Sequence, residues 1–454
     1  MLKPEGIRDP VRDQTVRNGP FTRVVQLHEL EGEEITIVFR ALDVHLPPPG
    51  YAPELEPGDF VVSELVKLLG GKDRLALILH KFFPEAKGAH VRSVGGGWSG
   101  SQLCLLFVDG DDQPYFLKFF VRRTEYLGEL VKHQQAHQWL GESLVKLKLI
   151  EGMEDNVSNQ SHAFPETGPG VVCYESASVR KCPRCTLKDI YRKHSESVTT
   201  QAFQRCLAIL ASNQNGRACD DIPWRENGFR LDDRTKAKIL ATMEDLAPYG
   251  PAMCHNDAAQ WEACCRTIDG FLHDVQFGWL RNPIPVMLGN THGDPNPRNC
   301  LVLPNNPENI RFIDCGGYEP QGRLVSDLAI IERDIKLVLM GTEVKAGPHF
   351  DLDVADMGNW YQAEQESISR GIQYRAEHAP PQHPKKYAPS HRAYQLVGLV
   401  RRRAQELSGD WDDQGKHYFA ALLFWTLDIL KYDAVRPTKK LLAIASAAEI
   451  LKRF

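Results

Sequence analysis

The chain lacks any long apolar run. Its longest, Phe419 to Leu427, is about half of the roughly 18 residues that a membrane span needs. The opening MLKPEGIRDPVRD carries charges and prolines where a signal peptide needs an apolar stretch. Neither a membrane partner nor export is expected. Charge of one sign is also lacking: 54 Lys+Arg stand against 59 Asp+Glu, a formal net charge of -5, so no basic field exists to draw in nucleic acid or anionic lipid. Cysteine is sparse and odd in number, 11 in 454 residues, which excludes a disulfide scaffold and fits a reducing, cytoplasmic setting. No period of 20 to 50 residues recurs, which excludes solenoids and propellers.

What is present is ordinary globular composition, 42% hydrophobic and 25% charged. At about 150 residues per domain the length suits roughly three units, or a two-lobed enzyme with an added segment. Residues 33–41, EEITIVFRA, predict a strand, and Val61, Leu65, Leu68 and Leu69 have helical spacing within 60–83. We expect an accessory segment over residues 1–90. From His90 the pattern becomes HVRSV, a glycine loop, QLCLLFV, the turn DGDDQP and YFLKFF, a small antiparallel sheet. RRTEYLGELVKHQQAHQWLG predicts a helix ending at Gly141; LVKLKLIEG and GVVCYE predict two more strands. Residues 186–290 read as mostly helical, with loops around 213–224 and 248–251. Then MLGNTHGDPNPRNCLVL and IRFIDCGG form a second strand-loop-strand unit, followed by helices from Ser326 onward. The expected class is α+β: a β-rich lobe over 91–178 and a large helical lobe over 179–454.

The sharpest chemical feature is His292-Gly293-Asp294, with Asn299 five residues after the aspartate and Asp314 inside Ile313-Asp314-Cys315-Gly316. Phosphoryl transfer from a nucleotide asks little covalent chemistry of a protein. It needs one carboxylate to orient the attacking hydroxyl and oxygen ligands to place Mg²⁺ on the phosphates. Asp294 would accept the hydroxyl proton, while Asn299 and Asp314 would hold the metal. Gly-Asp is also ordinary turn chemistry, so the tripeptide alone decides nothing. Upstream, Gly95, Gly96, Gly97, Ser99, Gly100 and Ser101 surround Trp98 in a loop whose backbone N–H groups can cover phosphates. Lys118 on the third strand of that sheet supplies a cation for them.

This order of residues resembles the protein-kinase-like fold, and more closely its aminoglycoside and choline phosphotransferase branch. Within that branch THGDPNPRNCLV and IRFIDCGG, with TLKDIYR upstream and SDLAIIE downstream, are similar to the kinase-like ternary-complex-associated domain family. The resemblance covers about residues 91–345. It implies a bilobal fold that binds ATP and Mg²⁺, with Asp294 as base, Asn299 and Asp314 on the metal, Lys118 on phosphates and Gly95–Ser101 as the covering loop. The backbone near Tyr174, Glu175 and Ser176 would form the hinge that reads adenine, and Asp327 would brace the catalytic loop. The lysine's partner would be Glu129 or, less favoured, Glu125; each can instead solvate a helix face.

Two departures favour the small-molecule branch: Gly293 stands where protein kinases carry an arginine, and Asn296 where Ser/Thr kinases carry a lysine. The implied reaction is γ-phosphoryl transfer to the hydroxyl of an unidentified small molecule or protein. The alternative is a catalytically weak or inactive nucleotide-binding sensor or scaffold in a larger system, which the short step from Lys118 to Glu129 favours. Three further features have bland readings. Cys182-x-x-Cys185 is half of a zinc pattern, with Cys264, Cys265, His255 or His273 to complete it, but no second pair of matching spacing follows. Arg298 reads as surface, and Arg401-Arg402-Arg403 as a solvated helix face.

Overall fold

The computed structural model describes residues 22–28, 34–40, 53–55, 72–86, 88–93, 102–108, 111, 114–120, 123–148, 170–175, 185–212, 216–221, 232–273, 283–341, 358, 360–362, 364–365, 368, 388–408, 415–433 and 435–454. The glycine loop Gly95–Ser101, Ser176, Cys182 and the helical positions Val61 to Leu69 lie outside them. The described chain is a mixed α/β protein with small, mostly antiparallel sheets. Among the described residues no helix is long and apolar enough to cross a membrane. Two compact units emerge, Met1–Gln134 with Val145–Arg184, and Gln135–Leu144 with Cys185–Phe454.

In the first unit β1 (Thr22–His28) and β2 (Glu34–Arg40) form an antiparallel hairpin. A five-stranded sheet follows in the order β3 (Pro53–Leu55), β4 (Ala89–Ser93), β5 (Gln102–Val108), β6 (Tyr115–Phe120) and β7 (Gly170–Glu175). All neighbours are antiparallel except β3, which runs parallel to β4. Helix α1 (Lys72–Phe82) buries Leu75, Leu79 and Phe82, and the adjoining Phe83 sets its ring edge-on 4.6 Å from that of Tyr115. These residues fall in the stretch expected as accessory, and Phe83 packs on Tyr115 of β6. Helix α2 (Arg123–Leu140) buries Tyr126, Glu129, Leu130, His133, Ala136 and Leu140, a helical stripe in which the glutamate takes an apolar position. It ends at Gly141, whose φ of 50° only glycine adopts cheaply. The predicted strand LVKLKLIEG is described only as far as Lys148, and there it makes isolated bridges at Leu144 and Leu147.

The second unit opens with β8 (Cys185–Thr186), α3 (Leu187–Lys193) and α4 (Glu196–Leu210). Thr186 and Ser195 cap the two helices by accepting the amides of Asp189 and Val198. Then come β9 (Arg217–Asp221), α5 (Asp233–Leu246), α6 (Ala258–Leu272), β10 (Ile284–Thr291), β11 (Cys300–Leu303), β12 (Asn306–Phe312), β13 (Glu319–Arg323) and α7 (Leu324–Asp334). Two antiparallel three-stranded sheets result, β9-β10-β13 and β8-β11-β12. Helices α8 (Ala388–Ser408), α9 (Lys416–Asp428) and α10 (Pro437–Leu451) close the core around α7, every residue of which is buried.

Three expectations need correction. The loop predicted near 213–224 contains strand β9, paired from Ile284↔Asp221 to Leu288↔Arg217. The loop at 248–251 is a 3-10 turn, Ala247–Tyr249, running into the helical turn Gly250–Met253. Arg401 does not solvate a helix face. It is wholly buried and gives Nε and Nη2 to Glu332 at 2.9 and 2.6 Å, in a cluster with Tyr418, Lys336 and Glu364. Burial opposes the charge of Glu332, yet Arg401 and Lys336 hold its carboxyl down at about 2.

Candidate active site

Strand β10 delivers the chain into His292-Gly293-Asp294. Gly293 has φ 79°, and a Cβ there would strike the carbonyl oxygen of Gly317, so this crossing admits only glycine. Asp327 on α7 fixes the loop from beneath. Its Oδ2 accepts the amide of His292 at 2.7 Å and its Oδ1 that of Gly293 at 2.9 Å. Burial pushes the Asp327 carboxyl up to about 7, against the pull of those two amides.

Asp294 is half-buried. Its Oδ2 accepts Nδ2 of Asn296 at 3.0 Å and Nδ2 of Asn299 at 3.2 Å, and its carbonyl accepts Asn299 Nδ2 at 3.0 Å. The Asn299 amide is thereby oriented with its nitrogen on the aspartate. Its Oδ1, the atom that ligates hard cations, accepts no hydrogen bond among the described residues. Ile313 ties this loop to the next strand end: its N–H donates to the Asn299 carbonyl at 2.9 Å, and its own carbonyl is 3.1 Å from His292 Nε2. Asp314, the next residue, is therefore set beside the segment that bears Asp294 and Asn299. It adopts φ 61° and ψ 67°, a left-handed conformation that costs a non-glycine residue about 1 kcal/mol or more and that concentrates at functional sites. Asn299 and Asp314 offer the all-oxygen donor set that suits Mg²⁺.

Charges that the sequence reading missed surround the loop. Arg333 and Asp334, the last residues of α7, pair at 2.7 Å, and Arg333 lies over the Trp425 ring. Burial opposes the Arg333 charge, but Asp334, Asp294 and Asp428 together hold its pKa above the usual value. An Arg-Asp pair at the end of a helix that already carries the acids Asp327 and Glu332 was the available signal. Arg298 is exposed, as expected, and Lys188, with its backbone amide on the Pro297 carbonyl at 3.0 Å, has its pKa lowered by burial and by Arg298 and Arg192.

In the first unit Lys118, 7% exposed, places Nζ 3.1 Å from Oε2 of Glu129, 3% exposed. The eleven-residue step is bridged because α2 turns its Glu129 face onto β6, whereas Glu125 is exposed. The backbone expected as hinge is engaged within the sheet at Tyr174 and Glu175: Tyr174 pairs with Phe116, and the amide of Glu175 donates to the Lys146 carbonyl at 2.8 Å. The Tyr174 side chain is buried and donates to Glu129 Oε1 at 2.5 Å. The described cysteines are free thiols, and no group of three or more metal-ligating side chains forms among the described residues.

No protein-family model matches the chain, and no curated protein sequence does. Among solved structures the chain is similar to an aminoglycoside-3'-phosphotransferase of type VIII, with 15% identity, 71% of this chain and 97% of that one covered, and a TM-score of 0.31. It is similar to the ethanolamine kinase of Plasmodium vivax, with 13% identity, 88% and 97% covered, and a TM-score of 0.36. It is also similar to a spectinomycin phosphotransferase solved with ADP and spectinomycin, with 12% identity, 79% and 93% covered, and a TM-score of 0.32. These likenesses are to phosphotransferases of the protein-kinase-like fold, and they are distant.

Proposed function

We propose that this protein is an ATP- and Mg²⁺-dependent phosphotransferase that moves the γ-phosphoryl group to a hydroxyl of a small molecule or protein. The observation that carries this reading is the junction at Ile313, bonded to both Asn299 and His292, which sets Asp314 beside the loop that bears Asp294 and Asn299. Asp294 would orient the acceptor hydroxyl and take its proton, its own carboxylate held by Asn296 and Asn299. Asn299 and Asp314 would hold Mg²⁺, which supplies charge neutralisation on the phosphate oxygens. Lys118, kept in place by Glu129, would bind phosphates. The loop Gly95–Ser101 would cover the nucleotide, and the helical stretch from about Thr186 to Gly289 would supply the acceptor contacts. In this reading residues 91–178 form the N-lobe, 179–454 the C-lobe and 1–90 an accessory segment.

The test is thermal unfolding against ATP, with and without Mg²⁺. Saturation at 100 Kd stabilises the native state by about 2.7 kcal/mol. A Mg²⁺-dependent rise in the wild type that Asp314→Ala removes supports the reading. No shift at millimolar ATP sinks it. Asp294→Ala should then bind ATP as the wild type does yet transfer nothing; full biological function in that variant would point to a nucleotide-binding scaffold instead.

A further inference from the structure

We propose that Tyr174 is a positioning residue for the nucleotide-binding lysine, acting through its hydroxyl on Glu129. The inference rests on the phosphotransferase reading above and goes beyond the hinge role expected of Tyr174. On β6 and β7, Lys118 pairs with Val172 and Phe116 with Tyr174. Residues two apart on a strand, and residues directly opposite on its neighbour, share a sheet face, so Lys118 and Tyr174 present their side chains to the same side. Glu129 meets them both there: Oε2 faces Lys118 Nζ at 3.1 Å and Oε1 accepts the Tyr174 hydroxyl at 2.5 Å.

The terminal torsion of a glutamate is broad, so an ion pair to one oxygen leaves the carboxylate free to rotate about it. A second anchor on the other oxygen removes that freedom and fixes where the lysine's counter-charge sits. The Tyr174 ring is itself held, with the His133 ring 5.7 Å away and His133 Nε2 2.8 Å from the Val145 carbonyl. Filling this space needs only a phenyl group. The hydroxyl adds a charge-assisted hydrogen bond to the carboxylate that faces Lys118.

The experiment is a double-mutant cycle on the full chain, reading the Kd for ATP with Mg²⁺ by titration calorimetry and the urea midpoint in parallel. Tyr174→Phe should weaken ATP binding about tenfold, the scale of one hydrogen bond to a charged group. On a Glu129→Gln background the same change should alter Kd by less than about twofold, since the route through the carboxylate is gone. A purely structural tyrosine would lower the urea midpoint and leave the ATP Kd unmoved. Wild-type affinity in Tyr174→Phe, or equal losses on both backgrounds, overturns the positioning role. Absence of ATP binding in the wild type overturns the phosphotransferase reading and this inference with it, an outcome distinct from a wild type that binds beside an unaffected variant. Should Tyr174→Phe not fold, the cycle runs with Tyr174→Leu, which likewise has no donor for Glu129 Oε1, and the same non-additivity is required.

Discussion

Replacing Asp327 by alanine removes the one side chain that accepts both backbone amides at the entry to the loop His292–Asn299. Each buried N–H left without an acceptor costs about 1 to 3 kcal/mol, so the two together cost about 2 to 6. Relief from burying the carboxyl works the other way. Burial is the largest influence on that group and pushes its pKa up to about 7, so the net loss belongs near the low end, about 2 kcal/mol at pH 7. That corresponds to a fall of about 4 to 8 °C in Tm for a unit of this size. Urea unfolding followed by intrinsic fluorescence measures the loss directly, and pH supplies its sign. Because the folded pKa lies above the ordinary 3.8, native Asp327 keeps a proton between about pH 4 and 7 that the unfolded chain gives up. Its contribution is therefore greatest below pH 4 and declines as pH rises through 7. Asp327→Asn should flatten the stability profile over that window. A loss under about 0.5 kcal/mol in Asp327→Ala, together with an unchanged profile in Asp327→Asn, would show that the loop does not depend on this clamp.

Lys118→Met leaves the buried Glu129 carboxylate without the Lys118 cation and should cost about 3 to 5 kcal/mol, read from urea midpoints, while abolishing the Mg²⁺-dependent ATP shift; a stable variant that still binds ATP contradicts the assigned pair. Gly293→Ala forces a Cβ onto the Gly317 carbonyl at a positive φ and should lower stability by about 2 kcal/mol or more, checked by calorimetry. Arg401→Leu leaves Glu332 buried without its bidentate partner and should cost about 3 to 5 kcal/mol. The folded pKa of Glu332 is depressed from 4.5 to about 2, so its pairing stabilises the protein above pH 4.5 and is lost as pH falls toward 2. In Arg401→Leu that acid-side loss, at most about 3 kcal/mol in the wild type, should shrink, as acid titrations of both proteins would reveal.

What the sequence made legible were features written in adjacent residues. The sheet strands at 89–93, 102–108 and 115–120 alternate or run apolar between turn residues, and α2 carries its own stripe and its glycine stop. The loop from His292 to Asn299 holds its own hydrogen bonds, so the spacing of Asp294 and Asn299 singled out two residues that the structure brings into contact. Features decided by distant partners were not legible. Strand β9 reads RACDD, with no apolar alternation, and becomes a strand because the backbone of β10 pairs with it. Arg401 has a neighbour of its own type on the exposed surface, and distant acids, Glu332 foremost and Glu364 beside it, draw it inside. The bond from the Tyr174 hydroxyl to Glu129 was not legible because nothing local ties a tyrosine on β7 to a glutamate 45 residues before it. Arg401 and Tyr174 share one cause. A polar group is buried only where a partner offsets its desolvation, and that partner is named by topology rather than by neighbouring residues. The same reasoning makes buried polar residues with distant partners the places where this chain's function has most to reveal. Lys118 shows both halves of the argument, its strand legible from YFLKFF and its burial determined by Glu129 across the helix.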